Sequence, residues 1–366
     1  MFQRVFTGMV RKGLLLAVIF LLLSGSLCSV FADTAAHTVV DQLGRRVSLP
    51  AKVERIIPLG GATRLVVYVQ AFDLVVGVEA METSQPVSGG RPYNLAIRKQ
   101  AENLPVVGEG KQKPINAEAV LALKPDLLII GGTDRAQADY LARLTGIPVL
   151  ALDYGGLGVL KLEQISDAFV LLGKVLKREK RAKQLVDELV RQKQELAKRL
   201  ANVKALPVYA GAVSQRGAQG ITSTDTDYYP LEISGARNLA KQLGQKGHFF
   251  IDKEQLLVWN PPFMLIDAGG AALVKQDYRI NKGFYQQLNA IKNRQVYQTL
   301  PYNYYHTNLE LALANGWYVA KLLHPQRFTD INPATKTDEL CSFFNGITCY
   351  QQLQQEFGGF GRLKFE

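Results

Sequence analysis

Along residues 162–200, apolar side chains recur at Ile165, Phe169, Leu172, Leu176, Ala182, Val186, Leu189, Leu196 and Leu200, with Glu179 and Lys193 as polar interruptions. Steps of three and four place them on one stripe of an α-helix. The stretch holds no proline and one glycine, Gly173. It predicts a single continuous helix of about 58 Å. A different rhythm flanks it on both sides. Ahead of it, apolar runs at Arg55–Leu59, Leu74–Glu79, Asp126–Ile130 and Val149–Leu152 read as buried strands. Helical patterns separate them, one starting near Thr63 and others over Ala117–Leu123 and Gln137–Leu144. His37–Leu49 reads as a hairpin turning at Gln42–Gly44, and residues 81–114, rich in Gly, Pro and Ser, as a long loop.

Behind the helix the pattern repeats. Pro207–Val213, Phe263–Ala268 and Gln295–Leu300 are strand-like, Gly217–Tyr229 is a polar loop, Pro230–Leu243 is largely helical, and Asn308–Leu323 is an amphipathic helix. Strands alternating with helices imply parallel sheets covered on both faces. The predicted fold is α/β: two Rossmann-like lobes joined by one long backbone helix, with a ligand cleft between the lobes. The boundaries are 1–32, an export signal; 33–160, a first lobe; 161–201, the linking helix; 202–328, a second lobe; and 329–366, a tail.

The amino terminus explains itself separately. Arg4, Arg11 and Lys12 precede the apolar run Leu14–Leu23, and Val30-Phe31-Ala32 offers a small residue at a cleavage position. The run is shorter than the roughly 20 residues that span a bilayer. Leu27 is too large for lipidation at Cys28, so cleavage after Ala32 and a periplasmic protein are expected. Losing those three cations lowers the net charge from +11 by three. No basic face interleaved with aromatics accompanies that charge, which excludes nucleic acid as a partner. Cys341 and Cys349 then remain as a pair in an oxidising compartment, which predicts a disulfide in the tail.

Ligands of open α/β sheets meet the loops at the carboxyl ends of strands. Those loops hold Thr63, Arg64, Arg91, Lys111, Arg135 and Arg216, together with Tyr93, Tyr154, Tyr228, Tyr302, Tyr304 and Tyr305. Guanidinium forks suit carboxylates, hydroxamates and oxyanions, and aromatic faces suit chelate rings. His306 sits in the densest cluster, Pro301–Asn308, and is the candidate for a direct metal contact; Thr307 or Asn308 would serve as the cap of the helix that follows. Phosphate-loop and dinucleotide fingerprints, HExxH and GxSxG are absent, so neither nucleotide binding nor an enzyme is expected.

Several segments taken together resemble a known family. Thr38–Pro50 with Arg55–Ile57, the phrase Ile115–Ile130, and Tyr229–Leu239 behind a long helix are similar to helical-backbone periplasmic substrate-binding proteins of ABC importers. The resemblance implies a monomeric carrier that serves an inner-membrane permease with a cytoplasmic ATPase. It also implies that Glu118 and Glu232, one on each lobe, dock on that permease. The expected ligand is a ferric siderophore-like chelate, with no resident cofactor. Cobalamin, haem, a nickel chelate and molybdate or tungstate are the alternatives within the fold. An exported enzyme or chelatase on a two-lobe body is the alternative outside it.

Overall fold

Ile56–Leu59, Leu127–Gly131 and Val149–Leu152 form a parallel sheet in that spatial order, with Ile56 opposite Leu127 and Leu128 opposite Val149. Every side chain of these strands is buried, as a parallel sheet covered on both faces requires. The computed structural model describes residues 37–84, 90–110, 113–153, 160–215 and 217–365. The expected export signal therefore lies outside the described residues. The strands Val78–Glu79 and Val106–Gly108 run parallel beside the first sheet, joined to it by a bridge between Val75 and Ile56. The hairpin His37–Val40 with Arg46–Leu49 is pinned to the sheet by Arg45, which bonds Asp41 at 2.7 Å and the Val149 carbonyl at 2.6 Å.

The second lobe holds a five-stranded sheet. Its order is Ala236–Asn238, Leu206–Gly211, Phe263–Asp267, Val296–Thr299 and Gly361–Arg362. The first four strands are parallel and the last is antiparallel. Two parallel sheets in sequence bear out the two-lobed α/β reading.

Three local expectations fail. Residues 81–114 are not a loop: they carry helices Ala80–Thr83 and Pro92–Ala101 and the strand Val106–Gly108. Pro92 opens its helix at a position where a missing N–H costs nothing, so proline here starts an element. Pro230–Leu243 is helical only at its two ends, Tyr229–Ile233 and a 3₁₀ turn over Leu239–Leu243, because Gly235 turns the chain at φ +71° into strand Ala236–Asn238 between them. The polar loop 217–229 contains a strand, Ser223–Asp225, paired antiparallel with His248–Phe250.

The largest correction concerns the linking helix. It is two helices, Leu162–Leu176 and Glu179–Arg199, and they fold back on each other. Lys177 takes a left-handed conformation at φ +56°, and the Arg178 N–H closes on the Gly173 carbonyl at 2.7 Å. Gly173 lies so close to Ala182 that a Cβ there would sit 2.5 Å from Ala182 Cβ. The ends meet as well, with Lys193 Nζ 3.7 Å from Glu163. The apolar stripe was real, but two antiparallel helices share it, and periodicity cannot register a one-residue reversal. The longer helix still joins the lobes over roughly 32 Å. Near its start Arg181 donates to the Tyr68 carbonyl of the first lobe at 2.9 Å. Further along, Gln192 accepts from Trp317 of the second lobe at 2.6 Å.

Leu309–Leu323 was expected to be amphipathic, yet nearly every side chain of it is buried. Its first residue donates to the Tyr68 hydroxyl of the first lobe, its body packs on helix Tyr229–Ile233 of the second, and one apolar cluster extends from Val39 through Leu323 into the tail. There Cys341 and Cys349 are bonded, between helices Pro333–Asn345 and Tyr350–Phe357. Among the described residues no helix is long and apolar enough to cross a membrane.

Candidate functional site

Two loops face each other across the lobe junction. In the first lobe, Gly60 and Gly61 take φ +60° and +82° as the chain leaves strand Ile56–Leu59 for helix Thr63–Tyr68. Only glycine fits at Gly60, where a Cβ would lie 2.5 Å from the Gly131 carbonyl oxygen. In the second lobe, Tyr305 and His306 are consecutive left-handed residues, at φ +52° and +68°. Each such non-glycine position costs about 1 kcal/mol or more and persists only where neighbours impose it. Arg64 imposes it here: its guanidinium donates to the carbonyls of Tyr305 and His306, and its Nε bonds Asn308 Oδ1 at 3.1 Å. Asn308 is held in turn, donating to the Gly90 carbonyl at 3.0 Å and the Tyr302 carbonyl at 3.2 Å. Its side chain therefore bridges the lobes and does not cap the helix it precedes.

Around Arg64 the first lobe buries a charged cluster. Arg64 stacks 4.8 Å over the Tyr93 ring. Tyr93 donates to Glu82 at 3.1 Å, Asn94 donates to Glu82 at 2.9 Å, and Arg91 lies 3.8 Å from the same carboxylate. Arg91 also donates to the Met81 carbonyl at 2.6 Å and lies 5.4 Å above the Tyr304 ring. Burial raises the Glu82 carboxyl, and Arg91 pulls it back down. Within this cluster the Thr63 hydroxyl and Arg91 Nε, on residues 0% and 1% exposed, meet no hydrogen-bond partner among the described residues. A buried donor without a partner costs roughly 1–3 kcal/mol, so these two, at the lobe junction, are candidate ligand contacts.

The gap itself is narrow. A Cβ at Gly132 would lie 2.6 Å from His306 Cε1, and one at Gly110 would lie 2.8 Å from the Tyr305 hydroxyl. Burial, and then the nearby Arg64, depress His306 to a pKa of about 4, so its ring is neutral at physiological pH. No group of three or more metal-ligating side chains is found among the described residues.

The structure thus gathers Thr63, Arg64, Arg91, Tyr304, Tyr305 and His306 at one junction. Tyr93 supports that group from beneath. Tyr228 and Tyr302 lie deeper in the second lobe, edge to face at 5.6 Å, with the Tyr228 hydroxyl 3.0 Å from Thr299. Beside them are two carboxyls, Asp225 and Asp267, which burial lifts to about 6 and about 7. Arg135 stands apart on the surface, 3.9 Å from Asp139. Lys111, Tyr154 and Arg216 fall outside the described residues. Glu118 and Glu232 are exposed in the first turns of helices Ala117–Ala122 and Tyr229–Ile233, one on each lobe. Glu79, Glu82 and Asn94 escaped the sequence reading because they sit in or just after segments taken as strand and loop; a glutamate ending an apolar strand was the available signal.

The chain as a whole is similar to known proteins. A profile described as periplasmic binding protein matches residues 68–302. The molybdate-binding protein MolA of Haemophilus influenzae is 26% identical over 342 residues, covering 88% of this chain and 92% of that one. The solved structure of MolA with molybdate superimposes with a TM-score of 0.66 at 22% identity, over 85% of this chain and 98% of that one. A Helicobacter pylori CeuE structure with Ni(II) gives 0.62 at 19% identity, over 88% and 99%.

Proposed function

This chain belongs to the periplasmic binding protein family, and from that premise we propose that it captures a small oxyanion of the molybdate or tungstate class. Members of the family deliver small molecules to a membrane permease driven by an ATPase, and they are binding proteins, not enzymes. The observation that carries the ligand reading is the pair of uncommitted buried donors, Thr63 Oγ1 and Arg91 Nε, beside the Arg64 guanidinium. An arginine fork with a hydroxyl matches a tetrahedral anion, and His306 closes tightly on Gly132 at the same junction. The likeness to a molybdate-binding relative supports the same class. A ferric chelate is the second reading, favoured by the Arg91–Tyr304 stack at the rim. It would need the lobes to part at Gly132.

Residues 1–32 act as the export signal in this proposal, and Glu118 with Glu232 register the carrier on its permease, since paired charges steer transient complexes more than they tighten them. Calorimetric titration with molybdate, tungstate, sulfate and a ferric hydroxamate should give micromolar or tighter binding for the first two alone. Binding of the hydroxamate with none for molybdate would reverse the order of the two readings. In liposomes carrying the permease, the double variant Glu118→Ala, Glu232→Ala should keep ligand affinity and lose ATPase stimulation; unchanged stimulation would refute the docking assignment.

A further inference from the structure

We propose that Glu79 is a resident anion of the cleft: its carboxylate sets a fixed negative charge beside the donors that an incoming oxyanion would use, and its hydrogen bonds latch the empty lobes together. Its competitor half rests on the oxyanion reading above; its latch half does not. Glu79 ends the first-lobe strand Val78–Glu79 and is 4% exposed. Its Oε2 accepts the Gly60 N–H at 3.0 Å and the Tyr305 hydroxyl at 2.7 Å. The first donor belongs to one lobe and the second to the other, so a single oxygen spans the junction. The Gly61 N–H also bonds this carboxyl. Successive amides of a left-handed turn form a concave nest suited to anions, and here the nest is filled by the protein's own side chain.

The electrostatics point the same way. Among the leading influences on Glu79 is a charge of like sign, Glu82, on the helix that follows it. Burial lifts the Glu79 carboxyl to about 6, with the tyrosine and amide bonds opposing the rise, so it is anionic at neutral pH. Among the described residues, backbone amides and a tyrosine hydroxyl support this buried negative charge, an arrangement that suits a guest which comes and goes. A dianion entering beside Thr63, three residues from Gly60, would meet a charge of like sign, which opposes its entry.

Two variants test the two halves. Glu79→Gln keeps the shape and removes the charge, so it should bind molybdate at least tenfold tighter than the wild-type chain by calorimetry at neutral pH. Equal or weaker binding by the variant, with the wild type binding, overturns the competitor role. Tyr305→Phe removes only the hydroxyl arm. Its ligand-free scattering curve should show a larger radius of gyration than wild type, and superimposable curves overturn the latch. If neither protein binds molybdate while the scattering still shifts, the oxyanion reading and the competitor role fail together and the latch stands.

Discussion

The two lobes each bury carboxylates at the carboxyl ends of their strands, and they solve the problem in opposite ways. In the first lobe Glu82 is surrounded by donors that are charged or shared: Arg91, Tyr93 and Asn94 converge on it, and Arg64 lies across Tyr93. In the second lobe Asp267 accepts backbone N–H groups from Gly269 at 2.8 Å and Ser214 at 3.4 Å. Asp225 accepts one from Asp227 at 2.7 Å. Among the described residues neither aspartate enters an ion pair. The first arrangement holds fixed charge ready for a guest. The second holds carboxyls that burial drives toward neutrality. Binding should therefore depend on the Arg64–Arg91 cluster of the first lobe, while the acid–base behaviour of the fold is shared by Asp225 and Asp267 with Glu79, the carboxyls that burial raises to about 6 or 7.

The sharpest test of that contrast is Arg91→Leu. It leaves Glu82 buried without its cation and should cost about 3 kcal/mol in chemical denaturation, with loss of oxyanion binding. A stability change under about 1 kcal/mol would show that Glu82 does not need the pair. Next comes Asp267→Asn. The fold raises this carboxyl from 3.8 to about 7, so it favours the protonated form. Its stabilisation is complete below about pH 4 and is lost as pH rises through 7. Wild-type Tm should accordingly fall more steeply than that of Asp267→Asn between pH 5 and 8, and parallel curves would contradict the raised pKa. The smallest effect is expected at the rim. His306→Ala removes a neutral ring that closes on Gly132 and should weaken anion binding severalfold, about 1 kcal/mol, with unchanged affinity counting against that contact.

What was legible in the sequence follows the same division. Strands such as Val149–Leu152 were plain because burial on both faces leaves a continuous apolar run. The cation and aromatic content of the cleft loops was plain because Arg64, Arg91 and Tyr304 fall just after such runs. The acids that organise those cations were not. Glu82 lies in a short helix inside a segment that composition marks as loop, and its partners Tyr93 and Asn94 are ten or more residues away. The reversal at Lys177 was invisible for another reason: the same apolar spacing serves one long helix or two antiparallel ones, and only the close approach of Gly173 to Ala182 separates them.

The last strand also has a bearing on handling the protein. Gly361–Arg362 lies along Val296–Thr299, with Tyr297 opposite Arg362. It occupies what would otherwise be a bare ladder of amides and carbonyls at the sheet margin, a template for pairing with other chains. Shortening the chain by a few residues there would leave the cleft intact yet make the molecule sticky, so that precipitation would be the first symptom of damage at the far end.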